Sequence, residues 1–272
     1  MSQNTKQYVP TELGEQPIGK LLAGYAIPAI IAMVASSVYN IVDSIFVGQG
    51  VGDIGISGMA VASPFMNLGA AFGAMIGVGA STVISVRLGQ GKYDVAQNIL
   101  GNTITLNLVM GLLLTVICEA TLPYARDYMR IILIGNVVTH CYFGLNAILR
   151  SAGHPQLAMN CTFIAIGANV ILDPIFIFKF QWGIQGAAWA TILSQVIALC
   201  IQAYLFSRPT ELLHFRRGIY RLKADIVRQC FAIGMSPFLM NACACLVVLL
   251  FNRRLLDFGG DMAIGAYGIV NR

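Results

Sequence analysis

The sequence predicts an all-α polytopic membrane protein, built as a six-helix lobe followed by one complete and one partial helix of a second, parallel-repeat lobe. Of the 272 residues, 57% are hydrophobic and only 11% are charged, far below the roughly 25% charged residues of an ordinary soluble domain. Several apolar segments reach the ~20 residues that a helix needs to cross a bilayer. A short pattern in the first segment also recurs late in the chain, which indicates a repeat.

Clusters of polar residues, glycine and proline divide the chain into seven complete apolar spans. These spans are Gly19–Val47, Ser57–Val86, Val95–Cys118, Leu122–Leu149, Leu157–Phe178, Ile184–Phe206 and Ile226–Leu256. An eighth span begins near Ala263 and is incomplete. The predicted divisions are a cytoplasmic tail at 1–18, a first lobe at 19–206, a cytoplasmic inter-lobe linker at 207–225 and an incomplete second lobe at 226–272.

Lysine and arginine are concentrated in the loops on one side of the predicted membrane. They include Arg87 and Lys92 between the second and third spans, and Arg216 to Lys223 after the sixth. Because cytoplasmic loops are enriched in Lys and Arg, we expect a cytoplasmic N-terminus. The net charge of +5 is therefore explained by the orientation of the chain in the membrane. No basic domain with aromatic platforms indicates a nucleic-acid partner.

The repeat is carried by a proline and a later Gly-Asp pair. Pro28 is followed by Gly52-Asp53, and Pro237 is followed at nearly the same spacing by Gly260-Asp261. An even number of spans separates the two copies, so they run parallel through the membrane, as in transporters whose halves are related about the membrane normal. On this interpretation the chain holds a complete first half and little more than one helix of the second.

Two acidic residues lie inside long apolar segments, where an ionisable group costs several kcal/mol unless it has a use. Asp43 follows Tyr39 by four residues, and Asp173 follows Asn169 by four. The spacing places each polar side chain on the same helix face as its acid. From a rise of ~1.5 Å per residue, Asp43, Asp173 and Thr191 of the sixth span share a depth of roughly 10 Å below one boundary.

This set of groups suits a small cation. Carboxylate, amide and hydroxyl oxygens are suitable ligands for a hard ion such as Na+, and two neighbouring acids in a medium of low dielectric constant would take up a proton as a unit. Pro28 can bend the first helix, and Pro174 removes a backbone donor beside Asp173. The alternative interpretation is that each acid only hydrogen-bonds a neighbouring helix. His140 could relay protons, but a packed neutral histidine is the favoured interpretation.

Three motifs together resemble the multidrug and toxic compound extrusion (MATE) transporters, in the DinF-like bacterial branch. They are the helix from Tyr39 to Gly48, the Leu-Arg-x-x-Gly-His-Pro loop at Leu149–Pro155, and the Asn-x-x-x-Asp-Pro motif at Asn169–Pro174. The similarity runs from about Lys20 to Arg272. Two departures are that the chain stops in its eighth helix and that the connection after Cys118 is short.

The resemblance implies a two-lobed, twelve-helix exporter of cationic and amphipathic compounds in the bacterial inner membrane, driven by inward movement of H+ or Na+. It further implies an ion site, with Na+ as one candidate occupant, at Asp43, Asn169, Asp173 and Thr191, with Tyr39 one turn before the first acid. No other cofactor is implied. The missing second lobe would come from the same full-length chain or from a partner.

The sequence therefore predicts a cation-coupled multidrug efflux antiporter that works by alternating access, from a chain that is truncated. One alternative is a flippase for lipid-linked precursors of the same superfamily, which would carry several cationic residues facing a central cavity. Another is an inactive fragment or a half-transporter that needs a partner. An enzyme is not indicated, because no set of nucleophile, base and oxyanion donors can be assembled.

Overall fold

Seven long helices form the protein in a computed structural model that describes residues 17–121, 127–209, 211–216 and 218–270. The side chains of 53–66 and 117–130, and most of those after 260, lie outside the description. The helices are α1 (Ile18–Val51), α2 (Asp53–Gly89), α3 (Tyr93–Thr121), α4 (Asp127–Ser151), α5 (Pro155–Pro174), α6 (Gly183–Ser207) and α7 (Ala224–Val270). All seven are long and apolar enough to cross a membrane. The prediction of an all-helical, multi-pass membrane protein is confirmed.

The helices alternate in direction, so the lobe has two ends. The linker end carries the α2–α3 and α4–α5 connections and the segment between α6 and α7, and the distal end carries the α1–α2 and α5–α6 connections. Most helix boundaries agree with the predicted spans to within a few residues. The predicted start of the fourth span at Leu122, and with it most of the short connection after Cys118, lies outside the described residues.

The fifth span differs from its prediction. The α-helix ends at Pro174 and continues as one π-helical turn, Ile175–Lys179, whereas the sequence predicts a single span to Phe178. Proline cannot donate a backbone hydrogen bond, and a π-helical turn accommodates one extra residue. The wider turn changes which side chains face the lobe beyond Asp173.

The repeated Gly-Asp pairs adopt the same unusual backbone conformation. Gly52, between α1 and α2, has φ 77° and ψ −164°, and Gly260, at a non-helical break within α7, has φ 62° and ψ −161°. This region of backbone space is essentially restricted to glycine. The shared conformation supports the predicted repeat at this position. The helix resumes after Gly260 and continues to Val270, where the sequence predicts the start of an eighth span.

Glycines allow α2 to pack very closely on two neighbours. A Cβ atom at Gly73 would lie 3.0 Å from Nδ1 of His140 in α4, and one at Gly77 would lie 3.3 Å from the Cα atom of Gly144. On the other side, Gly79 packs against the backbone of Cys230, and Gly234 of α7 packs against the backbone of Met75. Close backbone approach through small residues is the common way for membrane helices to associate.

The segment between α6 and α7, which the sequence predicts as an inter-lobe linker, is docked on the lobe. Leu212, Leu213 and Ile219 are buried, so apolar side chains hold the segment down. Its backbone is also bound by side chains of α3. Asn102 donates to Arg221 O at 3.0 Å and accepts from Lys223 N at 2.7 Å.

A second set of polar contacts fixes the first half of this linker segment. The Gln97 side-chain amide pairs with the backbone N–H and carbonyl of His214. Glu211 lies 2.9 Å from Nε2 of His154 at the start of α5. The side-chain amides of Gln97 and Asn102 satisfy backbone groups of the linker segment. The segment therefore has a defined position on the lobe.

We expect Gly234→Ala to destabilise the α2–α7 contact. The added methyl group would collide with the backbone of Met75, and backbone cannot move aside as a flexible side chain can. The matched control is Gly167→Ala in α5, where a Cβ atom meets nothing within 4 Å. In the control the helix gains about 0.5–1 kcal/mol. Thermal unfolding in detergent should show a lower midpoint only for Gly234→Ala, and equal midpoints would contradict the packing.

Asn102→Ala should release the second half of the linker segment, because one side chain holds two backbone groups there. Amide hydrogen exchange of residues 218–223 should accelerate, as should tryptic cleavage after Arg221. Asn98→Ala is the control, since the Asn98 side chain donates to Asp94 O within its own helix. Unchanged exchange in Asn102→Ala would show that apolar burial alone holds the segment.

Candidate functional site

The two acids predicted from sequence meet inside the lobe. Asp43 of α1 is 8% exposed and Asp173 of α5 is fully buried, and they lie near enough for their charges to interact. The helices run parallel, with Gly50 of α1 against Ile177 just beyond α5, so both acids lie near the same level. Two buried carboxylates whose charges interact repel each other when both are ionised. The pair therefore favours a cation between or beside them.

Asn169 and Thr191 complete this cluster. In the amide orientation that satisfies both neighbours, Asn169 donates to Oδ2 of Asp173 at 2.5 Å and accepts from the backbone N–H of Thr191 at 3.1 Å; this orientation is assigned from the hydrogen-bond network. Thr191 Oγ1 lies 3.3 Å from the Asn169 amide and donates to Ala187 O at 3.0 Å. These contacts bring Asn169 and Asp173 of α5 together with Thr191 of α6.

One oxygen of the buried Asp173 carboxylate can still accept a hydrogen bond or bind a cation. Within the described part of the chain, Asp173 Oδ1 has no hydrogen-bond partner, although an unsatisfied buried polar atom costs ~1–3 kcal/mol. A proton or a metal cation at this oxygen would remove the cost. The donor set fits Na+ through the carboxylates and Thr191 Oγ1, while Asn169 presents its nitrogen to Asp173 and its oxygen to Thr191.

A cavity of about 470 Å³ leads to this cluster from the linker end. Asn169 and Thr191 lie on its wall, and the acids lie beyond them. The remaining polar lining includes Ser36, Ser37, Tyr39, Asn40, Asn146, Arg150, Thr162, Ser194 and Gln195. Asn40 and Arg150 are exposed, so the cavity is open. Tyr39 therefore lies between the opening and the acid one turn further along α1.

Several polar residues of the cavity have no place in the predicted site. Arg150 donates to Oδ1 of Asn146 at 2.9 Å, and Asn146 donates to Ala158 O at 3.0 Å. Thr139 donates to Gln195 at 2.6 Å on another wall. The only sequence signal for the first pair is the i, i+4 spacing of Asn146 and Arg150 on an apolar helix. Among the described residues that line the cavity, Arg150 is the one charged residue.

The remaining predicted residues lie around the cluster. Pro28 is buried within α1, and Pro174 ends α5 directly after Asp173. His140 is buried against Gly73, is not among the cavity-lining residues, and has no hydrogen bond from either ring nitrogen to any described residue. Its position supports the packed neutral histidine over the proton relay.

Comparison with known proteins agrees with this architecture. The MatE family model matches residues 28–175, more than half of the chain and the part that contains both acids. The chain belongs to the MatE family. The MatE assignment covers the motifs on which the sequence resemblance depends, while the DinF-like branch stays a prediction.

Two further matches extend this MatE relationship. The multidrug export protein MepA of Staphylococcus haemolyticus is 30% identical over 269 residues, with 94% of this chain and 59% of that protein covered. A structure described as the inward-facing conformation of a multidrug resistance MATE family transporter of the MOP superfamily matches with a TM-score of 0.80 and 25% identity. It covers 89% of this chain and 60% of that one. The chain thus spans about three fifths of the length of these relatives.

A MOP superfamily transporter from Pyrococcus furiosus also matches this MatE chain, with a TM-score of 0.82 and 25% identity. The match covers 96% of this chain and 61% of that one. Its description states that the reverse polarity of its binding pocket suggests a different function. All three relatives are described as exporters or transporters, and none as an enzyme.

We expect Asn169→Ala to destabilise the folded protein, because it removes the donor to a buried carboxylate. Leaving such a group unsatisfied costs ~1–3 kcal/mol. The control is Asn40→Ala, which truncates an exposed asparagine of the same cavity. Thermal melts of the purified variants should show a lower midpoint for Asn169→Ala alone. Equal midpoints would mean that the Asn169 amide does not support Asp173.

Proposed function

We propose that the protein is the N-terminal part of a cation-coupled multidrug efflux antiporter, in which one cation, H+ or Na+, binds at the Asp43–Asp173 pair. The observation that carries the proposal is the meeting of these two buried acids at the end of an open polar cavity. Transported compounds would be cationic or amphipathic, in keeping with relatives described as multidrug exporters.

The coupling would work through the repulsion within the acid pair. Without a cation the two carboxylates repel each other in a medium of low dielectric constant, which favours separation of α1 from α5. A bound cation would relieve the repulsion and draw the helices together. A ligand shifts such an equilibrium only through its different affinity for the two states. The pair supplies that difference, because its separation changes how well it binds a cation.

Drug binding would respond to the same movement. The cavity wall includes Ser36, Tyr39 and Asn40 of α1 and Asn169 of α5, so a shift of α1 against α5 changes its volume. Pro28 offers a point at which α1 can bend, since proline interrupts the helical hydrogen bonds. Cation binding and drug binding would then exclude each other, as antiport requires.

We place the linker end in the cytoplasm and the protein in the bacterial inner membrane. The basic loops support this orientation: Arg87 and Lys92 lie at the α2–α3 connection, and Arg208, Arg216 and Lys223 lie along the linker. Cytoplasmic loops carry this excess of positive charge. The cavity described above would then open toward the cytoplasm.

A flippase for lipid-linked precursors is the weaker alternative, because the described cavity has Arg150 as its single charged residue and that side chain lies at the linker end. A half-transporter that needs a partner chain is consistent with the share of the relatives that the chain covers. Whether the second lobe belongs to the same chain or to a partner chain, the first lobe would hold the cation site.

Efflux should be lost in both Asp43→Asn and Asp173→Asn. Each variant removes one charge from the pair while it keeps the shape of the side chain. Ethidium efflux from cells that express the protein at its native length, and that lack other exporters, is the measurement. Asp225→Asn, an exposed acid at the linker end, is the control and should retain efflux. Wild-type efflux in either acid variant would refute the coupling role.

The coupling ion is distinguished in inverted membrane vesicles. Drug uptake is measured with an imposed pH gradient and, separately, with an imposed Na+ gradient at constant pH. The ion that drives uptake in the wild type, and fails to do so in Asp173→Asn, is the coupling ion. Uptake that neither gradient drives would contradict ion coupling.

A further inference from the structure

The acid pair has a polar side and an apolar side. On the linker side lies the cavity, with Asn169 and Thr191 at its inner end. One helical turn beyond each acid toward the distal end, the chain places Val47 on α1 and Ile177 on the π-helical turn. Val47 is fully buried and Ile177 is 3% exposed, and they form one apolar cluster with Ala187 and Ala188 of α6.

Ile177 lies on the π-helical turn and points into the cluster. It follows Asp173 by four residues, so it lies on the same face of the span as the buried acid. The backbone N–H of Phe180 donates to Ile175 O at 3.0 Å, which is the i to i−5 bond of a π-helix. Phe178 lies at the margin, where its ring meets that of Phe46 edge-on at 6.4 Å.

Two glycines bring the neighbouring helices against this turn. Gly50 of α1 touches the Ile177 side chain, so that a Cβ atom at position 50 would collide with Ile177 Cγ2. Gly186 of α6 faces the backbone of Phe176, where a Cβ atom would lie 2.9 Å from the carbonyl carbon and oxygen. The turn is therefore held from both sides.

A charged or hydrated cation cannot pass such a cluster cheaply. Moving a charge through an apolar region costs several kcal/mol unless polar groups replace its water, and hydrophobic constrictions close membrane pathways in this way. In contrast, the cavity side offers hydroxyl and amide groups up to Asn169. The two sides of the acid pair therefore differ in access.

We propose that Ile177, held against Val47, Gly50 and the two α6 alanines, is the seal that closes the distal side of the Asp43–Asp173 site. In this conformation a cation enters or leaves the pair only through the cavity at the linker end. Access from the distal side requires Ile177 to leave its position, and the π-helical turn is the element that moves. The inference concerns the access route and rests on the proposed cation site.

Side-specific thiol labelling tests the seal without any need for transport. Asp173→Cys is introduced as the reporter into a background in which the native cysteines are replaced, at native chain length. A small, positively charged, membrane-impermeant methanethiosulfonate is applied to intact cells or to inverted vesicles. The exposed distal residue Lys179, as Lys179→Cys, identifies which preparation presents the distal side. The reporter should react from the linker side and be protected from the distal side.

Added to the reporter, Ile177→Ala should increase the rate of distal labelling at least about tenfold, because truncating a buried isoleucine weakens packing by more than the free energy equivalent to a factor of ten. The matched control is Ile171→Ala, the same truncation in the same membrane span. The Ile171 side chain is 64% exposed. This control should leave the rate unchanged.

Gly50→Ala provides a second, chemically different test, since it adds a methyl group that displaces Ile177 and removes nothing. It should also increase distal labelling, and it serves if Ile177→Ala fails to fold by size-exclusion chromatography. Distal labelling at the reporter's original rate in a folded variant would overturn the seal. Because labelling involves neither drug nor ion gradient, that result would leave the proposed antiport function to its own efflux test.

Discussion

Two carboxylates buried within one apolar lobe impose the constraint on which the rest of the structure depends. Asp43 and Asp173 lie on parallel helices, almost without exposure to solvent, where neither a lone charge nor a pair of like charges is stable without compensation. The structure compensates one oxygen of Asp173 through Asn169 and leaves the other available. In the proposed function, an exchangeable cation would supply the remaining compensation.

The surrounding lobe keeps this pair in place by close packing. Glycines let α2 approach α4 and α7 at backbone distance, and they let α1 and α6 hold the turn beyond Asp173. The linker segment is bound by Gln97 and Asn102 of α3, so the start of α7 is tied to the first lobe. In a membrane, where apolar surfaces gain little by meeting, such steric fit and hydrogen bonding determine how helices associate. In the proposed function, small shifts of α1 within this packed frame would change the affinity of the site for a cation.

The sequence predicts the spans, the acids and the common depth of Thr191 with them, because these depend on apolar length, on helix rise and on the cost of burying a charge. It does not predict the π-helical turn, which arises where Pro174 meets tight packing against α1 and α6. The i, i+4 spacing from Asp173 places Ile177 on the buried face of its span, but the sequence does not predict that Val47, Ala187 and Ala188 meet it there. The linker segment has no apolar periodicity, so the sequence does not show that Leu212, Leu213 and Ile219 are buried. Each of these features depends on which faces of which helices meet, and uniformly apolar helices carry little information about that.

The most direct test of the account is whether the two acids share one cation. Infrared difference spectroscopy of the purified protein detects the C=O stretch of a protonated carboxyl group as pH or Na+ concentration changes. The account predicts one such signal in the wild type and a changed pH midpoint of that signal in Asp43→Asn and in Asp173→Asn alike, because each acid titrates under the influence of the other. A signal that disappears in one variant and persists unchanged in the other would show that the acids act independently, and would contradict the shared site.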